Sequence, residues 1–413
     1  MKQHTEQDVA PVIDGARKKA FLLAVVGVAV TAGLYFFSGP DKFYQSYIFI
    51  YMFWFGLAVG SLAALLLHQM VGGGWGFMSQ RVFEAGAKTL PWMAILWIPI
   101  WAGRSYLYPW VNPSLETSEL SAEITAHKSW YLTEEFWVGR TVAYFAIWII
   151  LTFFLTRWSK NLDQTGNLKN IKKLRLLSPP GIILYGLAMT FAATDWCKSL
   201  EPEWFSTMYG PIFVVGQGLS ILAFACIMMS VLHKYTPLSR VFHLDFYHHT
   251  ATLMCAFTVL WAYTNFGQYL IIWSGNMPEE TVWYVNRGGS TLNLVAVGLI
   301  IFHFAIPLLF LLQRRVKTNI TGLRNLAIWI LCMRLVDLLW VIKPSFIPQE
   351  LNLGLLDFSL LAALGGIWLM LFFTNLKSSS LVVQNDPRLF EAIAKLNHHD
   401  DHEDDEDEES AHA

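Results

Sequence analysis

The chain reads as an all-α integral membrane protein with ten transmembrane helices, and three observations predict that class. Ten apolar stretches approach the roughly 20 residues that a hydrocarbon core demands; they run 20–37, 47–68, 90–108, 136–156, 180–196, 211–232, 250–273, 291–312, 325–342 and 354–373. Hydrophobic residues make up 54% of the 413 and charged residues only 15%, far from a soluble average, so lipids rather than nucleic acid are the expected surroundings. Many of the 18 tryptophans fall near stretch ends (Trp54, Trp75, Trp110, Trp130, Trp158, Trp196, Trp204, Trp273), as an interfacial aromatic belt places them.

Loop charge sets the expected orientation. Counted over alternate loops from a cytoplasmic N-terminus, Lys and Arg total 21 inside and 5 outside. By the positive-inside rule both termini are expected to be cytoplasmic. Arg17-Lys18-Lys19 before the first stretch resembles the start of a signal peptide. No small-x-small cleavage site follows, so a retained first helix is expected.

Further along, Gly72-Gly73-Gly74-Trp75-Gly76 lacks the Lys-Ser/Thr of a phosphate-binding loop and reads as a flexible inner turn. The outer segment 109–135 is acidic and rich in Ser and Thr. With the outer loops 195–209 and 274–289 it suits docking of partner proteins. A weak repeat pairs Met189-Thr-Phe-Ala-Ala-Thr-Asp195-Trp196 with Met333-Arg-Leu-Val-Asp337-Leu-Leu-Trp340, each placing an Asp before a Trp in an outward-running stretch. It suggests two parallel four-helix bundles, stretches 2–5 and 6–9, with stretches 1 and 10 peripheral. The membrane domain is thus expected over 1–376 and a short amphipathic segment over 377–396. In the tail, 397–413, nine carboxylates exclude a packed structure, and a solvated chain is favoured over metal capture by His398, His399 and His402.

Charges inside apolar stretches are costly, by at least about 2.5–3.5 kcal/mol on insertion scales, and so mark function or pairing. Arg104, Glu135, Arg140 and Asp195 gather near the outer face of the first bundle, as a quinone pocket or as a locking ion-pair cluster. His303, Arg334 and Asp337 fall in the second bundle, where a proton relay uses such residues. Arg334 and Asp337, three apart, share a helix face, and Pro307 weakens the backbone ladder near His303. His68, His248 and His249 sit near inner ends; His68 and His249 are candidates for an inner proton path, or for a haem if two histidines faced each other. The four scattered cysteines show no Cys-x-x-Cys spacing, so no iron–sulfur cluster, attached haem or metal site is expected on this chain.

The segment Asp195-Trp-Cys-Lys-Ser-Leu-Glu-Pro-Glu-Trp-Phe-Ser-Thr-Met-Tyr-Gly210, with Asp386-Pro-Arg-Leu-Phe-Glu-Ala392, resembles the polysulfide-reductase-type (NrfD-like) membrane subunits of bacterial alternative complex III. The resemblance spans roughly residues 20–395. It implies a subunit of a respiratory quinol:cytochrome c oxidoreductase beside a larger NrfD-like sister subunit that oxidises quinol, for example menaquinol. Electrons then pass through iron–sulfur and multi-haem cytochrome c partners. The family's quinol site uses a His, an Asp and an Arg near the outer face of the first bundle. Arg104, Arg140 and Asp195 lie at that depth here, but stretch 90–108 has no histidine. A cofactor-free subunit with a scaffold and proton-pathway role is therefore the leading expectation. A quinone-binding subunit with its own site and a secondary transporter are the alternatives.

Overall fold

The computed structural model describes residues 9–115, 127–389, 391 and 393–394, and every regular element among them is helical. The acidic, His-rich tail and residues 116–126 of the acidic segment lie outside the described residues. Among the described residues seven helices are long and apolar enough to cross a bilayer, which makes this an α-helical, multi-pass membrane protein.

Helix α1 (Ala10–Val71) runs 62 residues but breaks at Gly39 (φ 80°), with Pro40 following. Its two arms hold the apolar stretches 20–37 and 47–68. The first arm presents Ala20, Ala24, Gly27 and Thr31 at alternating four- and three-residue spacing, all buried. They face α15 (Leu355–Lys377), and both helices are small where they meet: a Cβ on Gly27 would strike the Ala363 backbone, and one on Gly366 the Ala24 backbone. Small residues let membrane helices approach closely enough for dispersion contacts and interhelical hydrogen bonds; Thr31 Oγ1 donates to Ser359 Oγ at 3.0 Å. Lys377 pairs with Asp14 at 2.6 Å, so the start of α1 and the end of α15 share one face, termed the N-terminal face.

Here the fold departs from the expected inner turn at 72–76. Gly72 and Gly73 do turn, at φ 77° and 95°, but Gly74–Ala87 forms a helix, α2, in which every residue is buried. Gly76 lies against the His68 ring, where a Cβ would collide with it. The polar residues of α2 are held from within: Arg81 bonds Glu84 (2.6 Å) and Asp163, while Ser159 Oγ donates to Glu84 Oε1 at 2.6 Å. Charges that hydropathy and loop counting assign to water are thus paired inside the protein.

The stretch 90–108 is not one helix but three short pieces, α3 (Leu90–Leu96), α4 (Ile98–Ala102) and α5 (Arg104–Leu107). Pro99 removes a donor, and the backbone tightens to i→i−3 bonds, Trp97 N–H to Ala94 O and Ile100 N–H to Trp97 O. That bypasses the carbonyls of Met93 and Leu96. The Tyr51 and Tyr47 hydroxyls donate to them at 2.9 and 2.7 Å.

Then follow α6 (Glu134–Thr165), α7 (Lys169–Trp196), α8 (Tyr209–Leu232), α9 (Leu244–Gly275), α10 (Pro278–Asn286) and α11 (Ser290–Gly298). α7 begins eleven residues before the expected 180 and carries Pro179-Pro180 inside it. The two carbonyls the diproline strands belong to the exposed residues Arg175 and Leu176, where solvent can satisfy them. A π-helical segment, Leu299–Ala305, leads into α12 (Ile306–Leu312), α13 (Arg314–Lys317) and α14 (Ile320–Ile342). After α15, residues 381–389 fold back over the N-terminal face, where Arg388 bonds Asp386 at 2.6 Å and Gln69 at 3.1 Å.

The close approach at Gly76 gives a test. Gly76→Leu drives a side chain into His68 and should lower the SDS-titration midpoint of the purified protein strongly. Gly33→Leu, where a Cβ meets nothing within 4 Å, should change it little.

Candidate functional site

Two polar centres lie in the half of the protein away from the N-terminal face. The first joins α6 and α7. Arg140 Nε donates to Asp195 Oδ2 at 2.7 Å and Nη2 to Oδ1 at 3.0 Å, a bidentate fork, and the Tyr144 hydroxyl donates to Oδ2 at 2.8 Å. The remaining Arg140 amine donates to Tyr131 O at 2.9 Å, and the guanidinium lies over the Tyr131 ring, 3.7 Å from its centroid. The Asp195 carbonyl accepts from Trp137 Nε1 (2.8 Å) and Ser199 Oγ (2.6 Å). Both carboxylate oxygens are therefore bonded, and bidentate Arg–carboxylate geometry is strong as well as directional.

Of the other residues expected at this depth, Arg104 pairs with Glu134 at 2.7 Å and Glu135 is exposed. The structure does not bring either to Asp195. Beside the fork is a cavity of about 210 Å³, lined by Lys128, Tyr131, Thr194, Asp195, Lys198 and Trp204 among others. Lys128 donates to the Pro202 carbonyl; burial pushes its ammonium down from the ordinary lysine range, against the pull of Glu203.

The second centre lies between α9, the π segment and α14. Arg334 and Asp337, 4% and 1% exposed, pair across one turn of α14. Gly216 on α8 makes room for the guanidinium, which a Cβ there would strike. Trp261 Nε1 donates to Asp337 Oδ2 at 3.2 Å, and the same indole meets the fully buried His303 ring edge-on, with centroids 4.5 Å apart. His303, Asp337 and Arg334 are thus gathered around one tryptophan. Neither His303 nitrogen has a hydrogen-bond partner among the described residues.

The π segment holding His303 has a backbone cause. Ile306 N–H bonds Ile301 O, five residues back. Pro307 has no N–H to continue that pattern to Phe302 O, and the Trp329 indole fills the position at 2.8 Å. Such π segments widen one helical turn and shift the side chains it carries.

His68 and His249 are not brought together. His68 is enclosed near Trp75 and Phe77, whereas the exposed His249 neighbours Phe246 and His248. Among the described residues no group of three or more His, Cys, Asp or Glu is placed to hold a metal ion.

The segment 195–210 is the junction between the two centres. Glu201 pairs with the buried Arg287 at 3.3 Å, Trp204 stacks on Trp283 with centroids 4.9 Å apart, and Ser206 Oγ donates to Gln268 at 3.0 Å. Arg287 also donates to the carbonyls of Trp283, Trp340 and Val341. Sequence reasoning missed Trp261, Tyr144, the Glu201–Arg287 pair and the 2.7 Å pair Lys343–Asp357. Tyr144 stands one turn after Arg140, a spacing that signals a shared face; the others carry no local signal.

Removing one partner of a buried pair leaves a bare charge and costs about 3–5 kcal/mol. Asp195→Ala should therefore unfold the protein at a markedly lower SDS fraction. Tyr144→Phe, which removes one hydrogen bond to a charged group worth roughly 1.5–3 kcal/mol, should shift the midpoint less. Equal shifts would mean that the fork itself contributes nothing.

No family model matches the chain, and no curated protein is significantly similar to it.

Proposed function

We propose that the protein is an integral membrane subunit of a respiratory quinol:cytochrome c oxidoreductase, of the alternative complex III type, with a scaffold and proton-pathway role. In this reading ten spans form two four-helix bundles with a peripheral pair, and both termini face the bacterial cytoplasm. A larger NrfD-like sister subunit oxidises quinol, while iron–sulfur and multi-haem cytochrome c subunits carry the electrons on.

The observation that carries the proton role is the second centre. A buried carboxylate, a buried histidine whose ring nitrogens have no partner among the described residues and a shared indole meet at a π segment. Ionisable residues within spanning helices mark proton and substrate paths more often than packing, and a neutral imidazole can take a proton at one nitrogen and release one from the other. The Arg81–Glu84–Asp163 cluster supplies titratable groups on the N-terminal face. The resemblance of segments 195–210 and 386–392 supports the assignment to the complex. A transporter reading lacks comparable support, because the backbone breaks at Pro99 and Pro307 do not occupy corresponding places in the two halves.

Three measurements test the reading. Purified from native membrane, the protein should bring with it iron–sulfur and multi-haem cytochrome c subunits; a protein that purifies alone would favour transport. In a cysteine-free background, Ser114→Cys should react with an impermeant maleimide in intact cells and Gln164→Cys should not, and the reverse pattern would invert the orientation. Asp337→Asn keeps the shape of the centre and removes its titration. The variant complex should assemble yet lose most proton-coupled turnover. Wild-type coupling in an assembled variant would leave Asp337 as half of a structural pair.

A further inference from the structure

The end of α7 away from the N-terminal face brings hydrocarbon and positive charge to one place. Ile183, Leu187 and Phe191 recur every fourth residue along that helix and are 63%, 54% and 48% exposed. Residues four apart share a helix face, and in a membrane-spanning protein an exposed apolar face meets acyl chains. Thr194, three residues further on, lines the cavity of about 210 Å³ beside the Arg140–Asp195 fork. The stripe therefore ends at the cavity, where the spanning helix gives way to the single turn Lys198–Leu200. Trp130, 76% exposed and also lining the cavity, marks this border as interfacial indoles do.

Charge in the cavity is unbalanced. Three charged residues line it, Lys128, Lys198 and Asp195, and both oxygens of Asp195 are already taken by Arg140 and Tyr144. The two ammoniums lie close enough to repel each other. Lys128 gives one proton to the Pro202 carbonyl and has two left to donate. Lys198 Nζ has no hydrogen-bond or ion-pair partner among the described residues, and it is not one of their enclosed, unpartnered polar atoms, so it keeps accessible surface. The Thr194 and Ser199 hydroxyls donate to the carbonyls of Thr190 and Asp195. The lysines are thus the cavity's free donors, and what they lack is an anion. The volume falls below the roughly 300–1,000 Å³ of sites that enclose a whole small molecule, and suits a headgroup whose chains lie outside.

We propose that this cavity binds the phosphate of an anionic phospholipid such as phosphatidylglycerol. The phosphodiester lies between the ammoniums of Lys128 and Lys198, and an acyl chain runs down α7 over Phe191, Leu187 and Ile183. The Arg140–Asp195 fork keeps all its partners. Basic pockets at the ends of spanning helices attract anionic headgroups in this way. A zwitterionic headgroup carries its own cation and gains less from two lysines. A partner protein's carboxylate would satisfy the lysines but leave the stripe beneath them without a role. The site uses neither quinol nor protons, so it stands or falls apart from the respiratory reading.

The test is equilibrium binding of an acyl-labelled phosphatidylglycerol to the delipidated full-length protein in dodecyl maltoside. One saturable class is expected, displaced by unlabelled phosphatidylglycerol and far less well by phosphatidylcholine. Lys128→Gln and Lys198→Gln should each weaken binding about fivefold, the share of one cation near the membrane surface. Lys198→Arg should bind nearly as the wild type does. Lys172→Gln, exposed at the other end of α7, should change nothing, and all variants should elute as the wild type does in size exclusion. Glycerol phosphate, which has the anion without the chain, should not displace the lipid. Full displacement by it would overturn the proposal in favour of a soluble anion. Absence of saturable binding, equal competition by phosphatidylcholine, or an equal loss in Lys172→Gln would overturn it as well. So would a double Lys128→Gln, Lys198→Gln variant that binds lipid normally; if that variant also lost a protein that co-purifies with the wild type, the lysines would belong to a partner's carboxylate.

Discussion

Charge in a low-dielectric interior has to be neutralised from within, and the rest of the structure follows from that constraint. Isolated ions lose several kcal/mol of hydration on burial, which only close partners and further hydrogen bonds can offset. Arg140–Asp195 therefore ties α6 to α7, and Arg81–Asp163 ties α2 to α6. Arg287–Glu201 fastens the 195–210 junction to the segment after α10, and Lys343–Asp357 joins the two ends of the link between α14 and α15. Each pair is satisfied at only one depth and rotation of its helices. Apolar faces in lipid have little such preference, because hydrocarbon outside is as good a solvent as hydrocarbon inside. The ion pairs thus set register where the hydrophobic effect does not.

Backbone groups obey the same rule. The helix breaks in 90–107 and at the π segment strand carbonyls that water would satisfy in a soluble protein. Here Tyr47, Tyr51 and Trp329 satisfy them from neighbouring helices. Three side-chain donors make two irregular segments tolerable, and the second of them presents His303 to Trp261. Irregular backbone at membrane depth is accepted only where protein supplies its hydrogen bonds, so the geometry of the second centre depends on an indole one helix away.

Apolar length made the helices legible. Each expected stretch falls mainly on helical residues, with 90–108 broken into three pieces, since burying backbone polar groups in lipid leaves few other solutions. Of the charges that hydropathy singled out in apolar surroundings, Asp195, His303, Arg334 and Asp337 are buried, Arg104 and Arg140 are half-buried and Glu135 is exposed. It misjudged α2, because Gln80, Arg81 and Glu84 look like loop residues until Ser159 and Asp163, some 75 to 82 positions away, are placed beside them. Glu134 rather than Glu135 meets Arg104 for a related reason: which of two adjacent residues faces a partner depends on helix rotation, which neither hydropathy nor loop charge specifies.

The weak repeat that links Asp195-Trp196 to Asp337–Trp340 hides an asymmetry that separates the two centres. At Asp195 both carboxylate oxygens are bonded, its indole neighbour Trp196 donates to Thr141 at 3.0 Å, and the ring is fully buried. The fork holds its full complement of partners, so any ligand or proton arriving there has to displace one. At Asp337 both bonds fall on one oxygen, and the corresponding indole, Trp340, has an enclosed N–H without a partner among the described residues. A buried donor without an acceptor costs about 1–3 kcal/mol, a cost that Trp340 shares with five other enclosed indoles among the described residues. Saturation makes the first centre a structural clamp between α6 and α7. Incompleteness at the second leaves one oxygen of Asp337 that a proton can reach without displacing a partner.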